Sequence, residues 1–469
     1  MSAKKPPFNP DQLYQRALTL HHAGKLVDAE GLYKTLLSYF PNQVEILTTL
    51  GILLLQQGRS EAGIQQLKRS LSVNTNQPAA LYNMAVELQR LARLEEAHAC
   101  YNQALKLNPH DVNTLINRGN TLKDLKRYRE AIASFESALA LEPNIPSAHW
   151  NKALTHILLG EYEQGWKEYE WGWQCGERGK PRQYSQPTWL GEEPIAGKTI
   201  LIHPEQGFGD LIQFCRFVPM LEKLGAKVIL EAPASLLELM ASLSPKLSFI
   251  KEGGTLPAFD FVCPIMSLPL ALKTTVKSIP TKTPYLSVSE AKKQLWRAKL
   301  GVKTKPRIGI VWSGSMTNKI DNNLCARRNI PLVQLKQLFE LPFEFHLLQK
   351  DIRPEDQSIL ETLTHLHYHQ NELKDFADTA ALIQEMDLVI SVCTSVAHLA
   401  GALGHKTLVL LPYSADYRWM LNEKDSPWYP NIELIRSEKI GDWSNVIQKI
   451  AKRLHLDFAF PIHPSFSES

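Results

Sequence analysis

Cysteine is scarce in this chain and never clustered. The six cysteines (Cys100, Cys175, Cys215, Cys263, Cys325 and Cys393) are scattered over 469 residues without a CxxC pair, which argues against a zinc ribbon and a disulfide framework and fits a reducing, cytoplasmic setting. Long apolar runs are missing as well. The longest mostly apolar stretch, residues 388–403, carries Ser391, Thr394, Ser395 and His398 and reads as strand plus helix, so no transmembrane segment is expected. The first ten residues are polar and proline-containing, with no apolar stretch of the kind a secretory signal needs. Net charge is nearly absent: 52 basic against 48 acidic residues leave +4, too little field to predict a nucleic-acid partner. One local excess stands out, ten Lys or Arg against the single acid Glu290 over residues 273–307. It suits either a solvated interdomain helix or peripheral contact with an anionic ligand or membrane surface.

What is present begins with length and a 44% hydrophobic content, enough for two or three packed units. An internal period of 34 follows from small residues: Ala17, Gly51, Ala85, Gly119 and Ala153 form one series, and Ala29, Gly63, Ala97, Ala131 and Gly165 a second. Four residues after the second runs a bulky series, Tyr33, Leu67, Tyr101, Phe135 and Tyr169. Two antiparallel helices approach closely only where one presents Gly or Ala, and the bulky residue fills the groove between neighbouring hairpins. The pattern resembles the tetratricopeptide repeat in five units, 10–43, 44–77, 78–111, 112–145 and 146–179. Asn83, Asn117 and Asn151 share one position in three successive units and predict a carboxamide ladder facing an extended peptide. A similar ladder lines the protein-substrate groove of eukaryotic O-linked N-acetylglucosamine transferases, although Asn is common at this position in such repeats generally. The aromatic last unit, with Trp166, Tyr169, Trp171 and Trp173, fits a terminal hairpin that docks on a following domain.

Beyond residue 180 the pattern turns to short apolar strands separated by helices. Residues 198–203 and 227–231 read as strands, with 259–262 and 285–288 completing a first small sheet, and residues 211–224 as one amphipathic helix. Residues 307–312, 343–349, 388–392 and 407–411 read as a second parallel sheet. Parallel sheets bind ligands at the carboxyl ends of their strands. At one such end lies Glu205-Gln206-Gly207-Phe208-Gly209-Asp210, whose glycines allow close backbone approach; it is neither a Walker loop nor a GxGxxG turn, because no GK[ST] closes it and residue 212 is Ile. At another, a buried strand runs through Cys393 into Thr394-Ser395, which suit a helix start offering free N–H groups and a positive dipole end to a phosphate. The run His365, His367, His369 alternates along a short segment, but no second shell argues for a metal there.

Taken in order, EQGFGDLIQFCRFVPML, GIVWSGS, FHLLQKD, DFADTAALIQEMDLVISVCTSVAHLAGALG and DSPWYP resemble the heptosyltransferase-like glycosyltransferases (glycosyltransferase family 9-like) and their tetratricopeptide-fused bacterial relatives, and more distantly the O-linked N-acetylglucosamine transferases. The resemblance covers roughly residues 187–455. It implies an α-solenoid joined to an α/β GT-B fold of two Rossmann-like halves, and metal-independent, inverting transfer from a nucleotide sugar with no cofactor; the absence of an Asp-x-Asp motif agrees. By the same resemblance Asp210 is the candidate general base, Gln206, Gly207 and Gly209 form the acceptor loop, and Lys319 and His398 match donor-side positions. Arg327, Arg328, Gln349, Thr394 and Ser395 join them on the phosphate side, since a departing diphosphate needs cations and oriented N–H donors. One departure is Cys393, where these relatives usually carry Asp.

The expected organisation is a repeat array over 10–179, a linker over 180–196, an acceptor-side half over 197–290, a bridge over 291–305, a nucleotide-sugar half over 306–455 and a tail over 456–469. The expected function is transfer of a sugar to a hydroxyl acceptor, Ser or Thr of a protein held by the repeats. Two alternatives stay open: a catalytically silent scaffold that binds a protein and a nucleotide sugar, and a transferase for a lipid-linked or oligosaccharide acceptor.

Overall fold

The computed structural model describes residues 6–205, 207–314, 328–421 and 424–459. The chain divides into two compact units, Met1–Asn151 and Lys152–Ser469.

The first unit is built of helical hairpins: α1 (Pro10–His22) with α2 (Leu26–Tyr39), α3 (Val44–Gln56) with α4 (Ser60–Val73), α5 (Pro78–Arg90) with α6 (Leu94–Leu107), and α7 (Val112–Asp124) with α8 (Tyr128–Leu141). The next helix, α9 (Pro146–Leu158), crosses the unit boundary. The starts of α1, α3, α5, α7 and α9 coincide with the starts of the five repeats read from the sequence. Asn9 and Asp111 cap α1 and α7 by accepting the orphan N–H groups of Asp11 and Gln12, and of Asn113 and Thr114. The close approach is visible at the glycines: a Cβ on Gly63 would lie 2.4 Å from Leu55 Cδ2, and one on Gly119 2.4 Å from Phe135 Cε1. Each hairpin turn carries a left-handed residue, at Gly24, Gly58, Ala92 and Lys126, with Gly160 repeating the position after α9.

The sequence assigns the whole fifth hairpin to the array, through residue 179. Its second helix, α10 (Tyr162–Tyr169), instead belongs to the second unit. The reason is aromatic: Trp166 packs edge-on against Phe214 at 5.9 Å, Tyr162 stacks on Trp428 at 6.3 Å, and the hydroxyls of Tyr169 and Tyr417 lie 3.1 Å apart.

The second unit holds two sheets. The first contains β1 (Thr199–His203), β2 (Lys227–Ala232), β3 (Ser248–Lys251) and β4 (Phe261–Pro264) in the order β3-β2-β1-β4, all parallel. Between these strands run α11 (Phe208–Phe214), α12 (Val218–Lys223) and α13 (Leu237–Met240), and α14 (Leu268–Ala271) follows β4. The single helix expected over 211–224 is broken by a 3₁₀ turn because Pro219, at the start of α12, has no N–H to donate. The expected strand over 285–288 is absent; the amides of Tyr285 and Leu286 instead donate to the carbonyl of Ala402, and β3 supplies the sheet edge. The expected linker is partly structural, since Trp189 N donates to Val262 O at 2.8 Å and Val262 N to Pro187 O at 3.1 Å along the edge of β4.

A basic helix, α15 (Glu290–Leu300), leads to the second sheet. Its strands are β5 (Arg307–Val311), β6 (Glu344–Leu347), β7 (Leu366–His367), β8 (Leu388–Val392), β9 (Thr407–Leu411), β10 (Asp425–Ser426) and β11 (Tyr429–Arg436), in the order β10-β11-β9-β8-β5-β6-β7, parallel except at β10. Helices α16 (Leu332–Leu335), α17 (Pro354–Leu360), α18 (Phe376–Gln384), α19 (Ser395–Ala402) and α20 (Ser444–Phe458) complete this α/β arrangement. The end of α20 runs past residue 455, where the tail was expected to begin.

Candidate functional site

Helix α11 follows the end of β1, α19 follows the end of β8, and the two helices pack against each other. Both therefore start at carboxyl ends of parallel strands, where unpaired N–H groups and dipoles collect. At their junction Gly209 has no side chain to spare: a Cβ there would come within 3.1 Å of His398 Cδ2 and 3.5 Å of Ser395 Cα. The next residue, Asp210, accepts from Arg418 Nη2 at 2.6 Å. The turn at Gly209 and Asp210 is thus brought onto the tip formed by Thr394 and Ser395.

Thr394 caps α19 in extended geometry without a side-chain hydrogen bond to the helix; its hydroxyl lies 3.2 Å from Ser391 Oγ. The first amides of α19, at Ser395 and Val396, have no intrahelical carbonyl to reach. His398 is buried, with Nδ1 3.0 Å from the Tyr429 hydroxyl and its ring stacked on Trp419 at 5.2 Å. Burial, reinforced by the charges of Arg418, Arg216 and Arg328, lowers its pKa well below the usual imidazole range, so the ring is neutral. Burial also raises the pKa of Asp210, Arg418 opposing it and Asp416 adding to it. Arg328 Nη1 donates to the carbonyl of Cys393 at 3.2 Å. The Cys393 thiol is buried and accepts from Trp419 Nε1 at 3.0 Å.

Not every expected residue joins this cluster. Gln349 is turned into the fold: its Oε1 accepts from the amides of Trp312 and Ser313, and its Nε2 donates to Ser313 Oγ and Asp351 O. Its hydrogen-bonding capacity is used in tying β5 to β6, which corrects its assignment to the donor rim. Gly207 precedes α11 and is exposed. Gln206, Lys319 and Arg327 lie outside the described residues. In the first unit the ladder amides of Asn83 and Asn151 donate back to the carbonyls of Ala79 and Ser147, four residues earlier, and Asn117 donates to the Tyr82 hydroxyl.

Two features were missed. Arg418 and Asp416 lie on the loop after β9, paired through Arg418 Nη1 at 2.9 and 3.0 Å to the two carboxylate oxygens. A charged pair beyond the end of a parallel strand was the available signal. Arg178, which the sequence reading left unremarked beside the linker, donates to Glu205 at 2.7 and 2.8 Å, to Glu170 at 2.7 Å and to Ser267 at 2.8 Å. That network anchors the loop leading to Asp210.

The basic stretch is largely neutralised. Lys292 lies 3.2 Å from Glu238, 2.9 Å from Asp375 and 3.3 Å from Asp378, while Arg297, Lys303 and Arg307 pair with Glu385, Asp387 and Glu344. Among the histidines His365 and His367 are exposed and His369 is buried. The group that comes together is His346, His367 and His369, with His346 Nδ1 3.1 Å from His369 Nε2. Among the described residues no set of three or more His, Cys, Asp or Glu is arranged to hold a metal ion, and no helix is long and apolar enough to cross a membrane.

Comparison with known proteins identifies the helical part. Residues 78–111 and 112–145 match the tetratricopeptide repeat family, and residues 20–86 match a second family of the same description. The chain therefore carries tetratricopeptide repeats, which typically bind protein partners, followed by an α/β region. It is 27% identical over 333 residues to Protein FlbA of Caulobacter vibrioides, a match covering 66% of this chain and 54% of FlbA; the chain thus spans about half the length of that curated relative. Among solved structures it is similar to MamA, at 20% identity over 36% of this chain and 92% of MamA, with a TM-score of 0.34. A tetratricopeptide repeat protein from Parabacteroides merdae matches at 24% identity over 36% of this chain and 67% of its own, also with a TM-score of 0.34.

Proposed function

We propose that the second unit is a GT-B glycosyltransferase with two Rossmann-like halves, moving a sugar from a nucleotide donor to a hydroxyl, with Ser or Thr of a protein as acceptor. The observation that carries this reading is the contact of the Gly209–Asp210 turn with the amide-rich start of α19. In the proposed reaction the acceptor oxygen bonds to the anomeric carbon as its proton passes to Asp210. The bond from the anomeric carbon to the diphosphate breaks, and its electron pair leaves with the diphosphate. Arg328, the Ser395 and Val396 amides and neutral His398 receive that charge without a metal, preorganised donors of this kind each contributing about 10²–10³ in rate. A raised carboxylate pKa suits such a base, because it narrows the gap to working pH. The repeats of the first unit, with the carboxamides of Asn83, Asn117 and Asn151, would hold the protein acceptor.

One observation favours a second reading. Cys393 offers a buried thiol already engaged by Trp419, where a carboxylate would accept hydrogen bonds from sugar hydroxyls, and this suits a silent nucleotide-sugar reader attached to a protein-binding array. The lipid-linked acceptor gains no such support, since its basic bridge is paired with acids. Transfer from a panel of nucleotide sugars separates the readings. The proposal expects turnover in the native chain and a loss of at least about 100-fold in Asp210→Asn with donor binding kept. Donor binding without turnover in the native chain selects the silent reader, and undiminished transfer by Asp210→Asn removes the base.

A further inference from the structure

Arg418 is bracketed by two carboxylates that hold it in different ways. Asp416 stands two residues away on the same turn, meets Nη1 with both oxygens at 2.9 and 3.0 Å, and also accepts the Arg418 backbone N–H at 2.9 Å. Asp210 reaches it from 208 residues away through one contact, Nη2 to Oδ1. Asp416 is thus the fixed partner, and Asp210 is held by a single exchangeable bond. The guanidinium lies over the Tyr417 ring at 4.3 Å, and its Nε is buried without a hydrogen-bond partner. Two carboxylates share this one cation, and Arg328, whose charge also acts on Asp210, donates to the Cys393 carbonyl beside the start of α19.

A guanidinium binds carboxylate and phosphate oxygens with the same planar geometry. A carboxylate oxygen that accepts from it has a lone pair occupied and is a weaker base than a free one. We propose that Arg418 is contested: a donor diphosphate at the start of α19 takes its Nη2 from Asp210, so the base is released only once the donor is seated. This rests on the glycosyltransferase reading and adds an order to it, donor before acceptor. It also makes Arg418 a donor-binding residue as well as the restraint on Asp210.

The alternative, that Arg418 only orients Asp210, predicts no gain in donor binding that depends on Arg418. In calorimetric titrations of the full chain with UDP, GDP, CDP and ADP, the tightest ligand should bind Asp210→Asn about 5- to 20-fold more tightly than the native protein, because its competitor is gone. Arg418→Gln should bind at least about 10-fold more weakly, and the double variant should match Arg418→Gln. A gain that persists in the Arg418→Gln background would come from charge alone and overturn the proposal, as would unchanged affinity in Asp210→Asn. Should Arg418→Gln fail to fold, the pH dependence decides: native affinity should climb more steeply than that of Asp210→Asn as pH falls from 7.5 to 5.5, and parallel profiles overturn the proposal. Failure of all four nucleotides to bind the native chain overturns the glycosyltransferase reading, and this inference with it.

Discussion

A guanidinium sealed from water is stable only when its N–H groups are met, and Arg178 meets that condition at 2% exposure. Its contacts with Glu205, Glu170 and Ser267 are backed by stacking over Trp173 at 4.3 Å. Glu205 Oε1 also accepts the Met266 N–H at 2.9 Å, so one carboxylate joins the loop before α11 to the end of β4. Removing one member leaves a buried charge without its counterpart, whereas an exposed pair such as Arg93 with Glu61 contributes at most about 1 kcal/mol. Arg178→Met is therefore expected to lower unfolding stability by about 3–5 kcal/mol in urea titrations followed by tryptophan fluorescence. Adding Glu205→Leu should restore part of the loss. A cost near that of an exposed pair would show that the network is not sealed.

At the scale of elements, the hairpin turns show the repeat at its least satisfied. The left-handed position is Gly24 at φ 73° and Gly58 at φ 74°, but Ala92 at φ 59° and Lys126 at φ 62°. A Cβ in that region clashes with the following carbonyl, at a cost of about 1–2 kcal/mol that glycine avoids. Ala92→Gly should raise the stability of the first unit by about 0.5–1 kcal/mol, after the greater chain entropy of glycine in the unfolded state. Far-ultraviolet circular dichroism melts would register a higher midpoint, and a lower one would mean the turn relaxes on substitution. The sequence made the helix starts legible because close helix contact admits only small residues, so the 34-residue period is written in Gly and Ala. Strands β1, β2, β5, β8 and β9 were legible as buried, branched runs. β11 was not, because Pro430 disguises it; this proline precedes the parallel pairing with β9, which begins at Ile432 and so keeps its N–H groups. Within the candidate site, Gly209, Thr394 and Ser395 were legible because they stand at strand-end loops, whereas Asp210 and His398 were pointed to by the family resemblance alone. Arg418 and Arg178 could not, since their partners lie far off in sequence and neither belongs to a local pattern. Gln349 was misread for a related reason: position at a strand end marks a rim but does not say whether the side chain turns in or out.

For the molecule as a whole, the second unit combines ionisable groups with deep burial. Burial is the leading cause of a lowered pKa at His203, held at about 4, at His346, held at about 3, and at His369, His398 and His405. The neighbouring imidazoles His367 and His369 depress His346 further. An unfolded histidine titrates near 6.5, so below that pH the unfolded chain binds protons that the folded unit refuses. Stability is thus fully present above about pH 6.5 and falls as pH drops toward the folded pKa values, the unfolded state holding more protons throughout that window. At pH 5 one such imidazole costs about 2 kcal/mol, at 1.36 kcal/mol per unit of separation. Of the ten tryptophans, Trp150 alone lies in the first unit, so tryptophan fluorescence follows the second almost by itself. Thermal melts read this way should lose midpoint steadily from pH 7.5 to pH 5, and His346→Gln should flatten the slope by removing one strongly shifted group. A fluorescence midpoint independent of pH over that range would show that these imidazoles accept protons in place, which their burial opposes.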